Sequence, residues 1–256
     1  VLDFQGSMTA EMIDHGFLRP GSRWYRPLRQ LEAVINRLAD AVVTSTHHGA
    51  QVLRRAFGCP ARRIVVVPDG VNCDHFAPPR PDSVQAARVA ALRRRLALPP
   101  GAPVVVYLGL LAEYQGISHL LEAARRVLVA EPDVHFLLLG YPGQEHYRAH
   151  AAALGIAARV HFPGRVPYEH APDYLALGEV AVAPKLSATE GNGKVLNYMA
   201  MALPVVAFDT PVNRELLGDL GLYAPRADVA ALADRLLEAL RAPAAARERG
   251  RALRAR

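Results

Sequence analysis

The sequence has few of the residues that build disulfide frameworks, metal sites or membrane spans. Its two cysteines, Cys59 and Cys73, form neither a Cys-x-x-Cys pair nor a set with histidines at metal-ligand spacing. No apolar run reaches the roughly 18 residues that a membrane-spanning helix needs, and no secretory leader pattern is visible. We therefore expect a cytoplasmic protein that holds no metal, with the inner face of the cell membrane as an open alternative.

Lysine is scarce although the chain is basic. Of the 30 cationic residues only Lys185 and Lys194 are lysines, and both lie within ten residues of each other. The arginines are scattered over helical patterns, which is typical of solvated helix faces and argues against nucleic acid as a partner. A basic surface also suits anionic lipid headgroups, so peripheral membrane contact stays an alternative. A compact ammonium group suits a phosphate, so the two lysines hint at a phosphate-binding segment.

Short β-branched runs alternate with longer amphipathic segments along the whole chain. This rhythm predicts βα units and a parallel sheet, and the continuous apolar character of the runs predicts burial on both faces. Residues 116–130, for example, carry apolar side chains at three- and four-residue steps, as a helix packed on a sheet does. The candidate strands are residues 1–4, 41–45, 64–68, 104–109, 134–140, 160–162, 180–184 and 204–208.

Proline-rich stretches at both ends of residues 77–102 enclose one basic helical pattern and predict a linker. The part before it has about three strands, whereas a Rossmann-like unit usually has about six, so we expect the first domain to be incomplete at its N-terminus. The resulting division is 1–76 for the incomplete domain, 77–102 for the linker and basic helix, 103–226 for a second Rossmann-like domain, and 227–256 for C-terminal helices.

A glycine-rich turn, residues 190–194, follows the strand at 180–184 and leads into a helical pattern. Such a turn presents backbone N–H groups at the carboxyl edge of a parallel sheet, where anions bind. It is not a Walker A loop, because Ala188 stands where the first glycine is needed and Val195 where Ser or Thr would hold magnesium. The turn predicts a phosphate site, and a purely structural turn is the alternative.

Several ordered motifs resemble the retaining glycosyltransferases of family 4, also described as group 1, which have the GT-B fold of two Rossmann-like domains. The likeness covers nearly the whole chain, so the resemblance implies that fold with an incomplete first domain. It also implies a nucleoside diphosphate sugar as the donor substrate and no cofactor. The motifs are 182–184, 190–191, 194–200, 204–207 and Glu215 around the glycine-rich turn, with 41–45, 63–72, 76–78, 105–109, 138–140 and 160–166 elsewhere.

The resemblance assigns roles to individual residues. Glu190 matches the first glutamate of the family's paired-glutamate motif, which faces the transferred sugar, and Asn197 stands in place of the second, which grips the ribose. The turn would cradle the diphosphate, residues 164–166 would border the base, and Gly109 would let the chain approach the phosphates. The implied substrate-binding residues are Gly109, Gln115, Gly140, Gly164, Arg165, Val166, Lys185, Gly191, Asn192, Gly193, Val195 and Asn197.

The sequence departs from the family where charge matters most. Leu110 and Gln115 stand at the positions of an Arg and a Lys that neutralise the leaving diphosphate, a loss of roughly 3 kcal/mol per group in such sites. Our hypothesis is that Lys194, with Lys185 as a second candidate, takes over that role. Gln5 stands near the place where the family often has a histidine beside the reacting sugar. The candidate catalytic residues are therefore Glu190 from the paired-glutamate motif, Lys194 from the charge argument, and Gln5 from this position.

These expectations combine into one function. The chain is expected to move a hexose from a nucleoside diphosphate sugar to a hydroxyl acceptor, a glycan or a lipid-linked molecule of the cell envelope. Transfer would proceed with retention at the anomeric carbon and without a metal. The alternatives are an inactive sugar-nucleotide-binding or scaffold protein, and an epimerase or phosphorylase on the same fold. Because the acceptor side is incomplete, these residues alone are expected to be poorly active.

Overall fold

The computed structural model describes all 256 residues as an α/β protein with two separate sheets. The first sheet has the strand order β1-β2-β3 and the second the order β6-β5-β4-β7-β8-β9. Every pair of neighbouring strands is parallel. The expected fold class, two Rossmann-like parallel sheets, is therefore confirmed.

The strands are short and the helices mostly of ordinary length. The strands are β1 Leu2–Phe4, β2 Val42–Thr44, β3 Ile64–Val66, β4 Val104–Leu108, β5 His135–Leu139, β6 Val160–Gly164, β7 Val180–Ala183, β8 Val205–Phe208 and β9 Leu222–Ala224. The helices are α1 Met8–Asp14, α2 Tyr25–Leu38, α3 His47–Phe57, α4 Val84–Arg95, α5 Ile117–Ala130, α6 Gln144–Ala153, α7 Ala171–Leu175, α8 Lys194–Ala200, α9 Pro211–Leu217, α10 Val229–Arg241 and α11 Pro243–Ala255.

The eight predicted strands all exist, and most are shorter than predicted by one or two residues at an end. A ninth, β9, was not predicted, because its three residues Leu-Tyr-Ala form too short a run to show a pattern. β9 pairs with β8 at the edge of the second sheet. The apolar runs are buried on both faces in the central strands β4, β5, β7 and β8, as expected.

Two large hydrophobic cores cover the faces of the six-stranded sheet. One holds 28 buried residues under α5, α6 and α10, and the other 21 under α4, α7, α8 and α11. The first sheet has a core of only five buried residues. The second unit is therefore the rigid body on which the site is built, because dense packing on both faces fixes its strand ends.

The basic helix expected in the linker is α4, which packs on the second unit. Arg88 makes a two-pronged ion pair with Asp173 of α7, at 2.7 and 3.1 Å. Phe76, just before the predicted linker, is fully buried in the second core. The C-terminal segment forms the two helices α10 and α11. The domain boundaries themselves stay a prediction.

The strand order of the second sheet identifies where a ligand would bind. β4 and β7 are neighbours at its centre, and the chain runs outward from them in opposite directions. In open parallel sheets such a reversal leaves a crevice beyond the carboxyl ends of the two strands. The loops that follow β4 and β7 are the ones that contain Gly109 and the glycine-rich turn. None of the helices has the length and apolar character that crossing a bilayer requires.

Candidate functional site

Lys194 is the central side chain of the crevice. This crevice lies beyond the carboxyl ends of β4 and β7, and the first sheet lies on its opposite side. Its Nζ donates to Gln115 Oε1 at 2.5 Å and to the Tyr107 hydroxyl at 3.1 Å. It also lies 4.5 Å from the centre of the Tyr107 ring. An ammonium group carried by the turn after β7 therefore reaches the segment after β4, which contains Gln115, one of the two positions where the resemblance implies a cation.

Burial gives Lys194 an unusual proton affinity. Desolvation of the ammonium group lowers its pKa well below the ordinary value, repulsion from Lys185 lowers it further, and Glu190 counteracts both in part. The Tyr107 hydroxyl is a weak acid here, because burial raises its pKa well above the ordinary value. Lys194 thus has neutral partners and no direct ion pair, so no carboxylate of the protein competes with an anion for it.

Glycines after β4 and β5 make room for this arrangement. A side chain at Gly109 would lie 2.8 Å from Lys194 Cε, and its φ of +148° is a conformation that residues with a Cβ rarely adopt. A side chain at Gly140 would collide with the Gly109 carbonyl. Both positions need glycine because the strand ends and Lys194 approach one another so closely.

The glycine-rich turn offers part of the expected set of backbone donors. The N–H groups of Gly193 and Lys194 have no acceptor within the protein, and the surroundings of Gly193 are open. Two other N–H groups are already used, since Gly191 donates to the Gln5 carbonyl at 3.3 Å and Val195 to the Asn192 carbonyl at 3.0 Å. α8 has only seven residues, so the free donors belong to the turn more than to a helix dipole.

Lys185 and Glu190 form an ion pair at the base of the same turn. Lys185 Nζ lies 2.9 Å from Glu190 Oε2 and donates to the Gly191 carbonyl at 2.6 Å. Lys185 is only 4% exposed, and burial lowers its pKa although Glu190 raises it in part. The expected contact between Lys185 and a phosphate would require it to leave both partners, so the geometry favours Lys194 for that role.

A cavity of about 360 Å³ opens beside Gly109. Among its lining residues are four of the predicted substrate-binding residues: Gly109, Gly140, Arg165 and Val166. Gly164 lies at the end of β6, directly before Arg165 and Val166. The loops after β4, β5 and β6 thus meet around one opening, which also has Leu108, Leu110, Leu139, Tyr141, Pro167 and Tyr168 in its wall.

Two predicted asparagines have side chains bonded to other protein groups. The Asn197 Oδ1 accepts from the Tyr168 hydroxyl at 3.0 Å, so only its NH₂ group remains for a ligand. Asn192 is 4% exposed and donates to Asn213 Oδ1 at 2.8 Å, while Asn213 donates to the Phe208 carbonyl at 2.8 Å. Asn192 therefore anchors the turn to β8 and α9, and it is not among the residues that line the cavity.

The first sheet faces the turn across the crevice. The Gln5 side chain donates to Asp3 Oδ1 at 2.7 Å, and its carbonyl receives the Gly191 N–H. A side chain at Gly6 would lie 3.2 Å from Glu190 Cα, which shows how closely the two units meet. Glu11 of α1 belongs to the same region, because burial and then the charge of Glu190 raise its pKa.

Sequence reasoning missed several groups on this side. Ser45 Oγ and Asp69 Oδ2 lie 3.5 and 3.9 Å from the position of a Cβ on Gly191. Both residues follow strands of the first sheet. Their position at the carboxyl edge of that sheet is the sequence signal that could have identified them as candidate site residues. His15 stacks on Tyr114 across the crevice with ring centres 4.1 Å apart, and no pattern indicated that contact. No cluster of metal-ligating side chains is present.

Two family profiles match the chain. The one described as "Glycosyl transferases group 1" matches residues 102–242, which include the second sheet and the glycine-rich turn. The one described as "Glycosyltransferase Family 4" matches residues 9–75. Together they cover both sides of the crevice.

Curated relatives show the same likeness over much of the chain. The 2-deoxystreptamine glucosyltransferase of Streptomyces kanamyceticus is 28% identical over 94% of this chain and 59% of its own length. The D-inositol 3-phosphate glycosyltransferase of Geodermatophilus obscurus is 34% identical over 66% of this chain and 38% of its own length. The chain thus spans roughly half the length of the curated relatives it matches.

Solved structures show the likeness in three dimensions. A sucrose-phosphate synthase from Thermosynechococcus elongatus superposes with a TM-score of 0.79 at 24% identity, over 99% of this chain and 61% of that one. HepE of Anabaena, solved in complex with UDP, superposes with a TM-score of 0.77 at 16% identity, over 99% of this chain and 65% of that one. At such identities the likeness concerns the fold.

Proposed function

Because the chain belongs to the group 1 glycosyl transferases and has the GT-B fold, we propose that it moves a hexose from a nucleoside diphosphate sugar to a hydroxyl acceptor. The anomeric configuration is retained. The observation that carries the proposal is the position of Lys194 and of the free N–H groups of Gly193 and Lys194, beside Gly109 and next to the cavity.

In this proposal Lys194 and the N–H groups of Gly193 and Lys194 hold the diphosphate. The bond between the anomeric carbon and the diphosphate oxygen breaks, and the electron pair stays on the diphosphate. The acceptor oxygen bonds to the same face of the anomeric carbon, and its proton passes to the leaving diphosphate. Positive groups fixed beside the leaving oxygen stabilise the charge that develops there.

The remaining residues of the crevice serve the donor's other parts. Glu190 faces the sugar, and the cavity beside Gly109 receives the base, with Arg165 and Val166 at its border. The NH₂ group of Asn197 reaches the ribose. No metal ion or cofactor is needed, because Lys194 supplies the cation, so EDTA should leave the rate unchanged.

The acceptor is proposed to be a glycan or a lipid-linked molecule of the cell envelope. Trp24 is 58% exposed, and the Arg23 guanidinium lies 5.4 Å from its ring centre, so a packing role, which the sequence favours for this residue, does not account for it. An aromatic ring with an adjacent cation suits a membrane interface, so a cytoplasmic protein with peripheral membrane contact is proposed. Replacing Trp24 by Ala should reduce co-sedimentation with anionic vesicles.

A screen of donors tests the main proposal. The full-length protein is assayed for thermal shift with UDP-, GDP- and ADP-sugars, beginning with UDP-glucose because HepE is described in complex with it. Donor consumption is then followed with sugar acceptors, 2-deoxystreptamine and inositol phosphate, which the names of the relatives suggest. We expect consumption that depends on an acceptor, and a product whose anomeric proton shows the donor's configuration.

Two other outcomes would point to the alternatives. Binding of a sugar nucleotide without turnover under any acceptor would favour an inactive binding module, which Leu110, Gln115 and Asn197 at the family's charged positions would explain. Product formed without an acceptor hydroxyl would favour an epimerase, and product formed only with free phosphate would favour a phosphorylase. An absence of any binding would contradict the proposal as a whole.

A further inference from the structure

The two lysines of the chain lie near the two ends of the segment between β7 and α8 but have different partners. Lys194 Nζ contacts the neutral groups of Tyr107 and Gln115. Lys185 Nζ contacts the carboxylate of Glu190 and the carbonyl of Gly191. One cation is therefore available to a ligand, while the other is already paired inside the protein.

The burial of Lys185 explains why it stays paired. It follows the central strand β7 and is 4% exposed. A buried ammonium group without a counter-charge is costly, so the ion pair with Glu190 is favoured over a state in which Lys185 faces solvent. The same contact fixes the Glu190 carboxylate, which would otherwise be free to rotate on a loop between β7 and α8.

The second bond of Lys185 fixes the backbone as well. By holding the Gly191 carbonyl, Lys185 closes a ring of seven residues from 185 to 191. The next residue, Asn192, is held by the hydrogen bond that its side-chain amide donates to the buried Asn213 side chain. Glu190 thus directly precedes two anchored residues of the turn, and Lys185 holds its carboxylate.

We propose that Lys185 is a positioning residue, which sets the Glu190 carboxylate against the transferred sugar and makes no contact with the diphosphate. This inference rests on the proposed function, since it concerns the same donor site. Lys185 and Glu190 then act as a unit on the sugar, and Lys194 acts separately on the leaving group.

The test uses UDP-glucose and UDP as probes, because comparing them distinguishes an effect on the sugar from an effect on the diphosphate. In the full-length protein, Lys185→Met should lower kcat roughly 10- to 100-fold, as small displacements of a positioning group do. It should leave the affinity for UDP within about threefold, because UDP lacks the sugar. The preference for UDP-glucose over UDP should fall. Lys194→Met should instead weaken UDP itself.

A double mutant shows whether Lys185 acts through Glu190. If it does, Lys185→Met combined with Glu190→Gln should be no worse than Glu190→Gln alone within about threefold, since residues that act as a unit are not additive. This variant also removes the unpaired carboxylate, so it stays informative if Lys185→Met folds poorly. Arg214→Met is the matched control, because it breaks the exposed ion pair with Asp209 and should leave all constants unchanged.

Three results would overturn the inference. Loss of UDP affinity in Lys185→Met would make Lys185 a diphosphate ligand. If the loss of kcat in the double mutant equalled the product of the losses in the two single mutants, Lys185 would not act through Glu190. A drop in melting temperature alone, with kcat and sugar preference intact, would make it merely structural. If the unaltered protein neither binds nor transfers any tested sugar nucleotide, the proposed function fails first, and this inference fails with it.

Discussion

Lys194 shows how a cation from one segment can lie beside a distant segment that carries none. The resemblance implies a cation at position 110 and another at position 115, where this chain has Leu110 and Gln115. In space the Lys194 ammonium lies 2.5 Å from Gln115, although the two residues are 79 positions apart. Scarcity of lysine drew attention to Lys194, but only the packing of the two loops shows which residue it meets.

The lowered pKa of Lys194 gives a measurable signature. A diphosphate in contact with this group would stabilise its charged form and raise its pKa, so the protein should take up protons when UDP binds. Calorimetry at several pH values below the ordinary pKa of lysine, in buffers of different ionisation enthalpy, measures that uptake. We expect a fraction of a proton, absent in Lys194→Met, whose kcat should fall roughly 10²- to 10³-fold. Equal uptake in both proteins would contradict the assignment.

Gly109 offers a prediction about space. Its Cβ would lie 2.8 Å from Lys194 Cε, and its φ of +148° disfavours any side chain. We expect Gly109→Ala to lower the free energy of unfolding by about 1–3 kcal/mol, since strained backbone conformations cost that much, and to weaken UDP binding by displacing Lys194.

Gly193 provides the control for unfolding. Its surroundings are open and its φ is −54°, so Gly193→Ala should leave the free energy of unfolding nearly unchanged. Chemical denaturation of both variants checks this. If the two substitutions cost the same, the close approach of Lys194 to Gly109 does not matter for stability.

At the scale of single residues, the sequence predicted which positions gather at the site better than it predicted what each does. Gly109, Gly140, Arg165 and Val166 meet around one cavity. The Asn192 side chain, by contrast, is turned away to Asn213. Side-chain partners depend on contacts between distant segments, which a motif in one segment does not contain.

At the scale of elements, the sequence was most informative where burial is complete. The strands β4, β5, β7 and β8 are continuous apolar runs, and they are the easiest elements to predict because a strand buried on both faces needs no alternation. β9 is an edge strand of three residues and has no such signal. The strand order, and with it the crevice between β4 and β7, follows from packing that no local pattern encodes.

Neighbouring strands also bring together a histidine pair that predicts acid sensitivity. His135 Nδ1 of β5 lies 2.8 Å from His161 Nε2 of β6, and Arg159 lies against the other nitrogen of His135 at 3.0 Å. Burial, then the charges of His161 and Arg159, lower the pKa of His135 from 6.5 to about 4. The folded protein therefore resists protonation that the unfolded chain accepts.

The sign of the effect follows from this difference. Between pH 6.5 and 4 the unfolded chain binds more protons than the folded one, so the free energy of unfolding should fall as the pH falls through that window. In His135→Asn the decline should be shallower. Denaturation midpoints at several pH values measure it, and His170→Asn, at an exposed histidine, is the control. A parallel slope in His135→Asn would count against the pair as the cause.

At the scale of the whole molecule, the two sheet units meet through a few polar contacts that only the folded structure shows. Glu215 of α9 reaches the start of α3 in the other unit, 168 residues earlier in the chain, where its carboxylate accepts from the His47 N–H at 2.6 Å and the His48 N–H at 2.9 Å. The sequence singled out Glu215 as part of a motif. It could not reveal a partner on the opposite side of the crevice.

This contact predicts that Glu215 holds the crevice closed. A carboxylate at a helix N-terminus gains from the free N–H groups and the positive end of the helix, about 1–2 kcal/mol in favourable geometry. Replacing Glu215 by Ala should therefore enlarge the radius of gyration in small-angle scattering and lower kcat, because Glu190 and the first sheet would meet less often.

Glu131→Ala removes an exposed ion pair with Arg241 and serves as the control. If Glu215→Ala scatters and turns over like that control, the two units are held together by other contacts, such as the stacking of His15 on Tyr114.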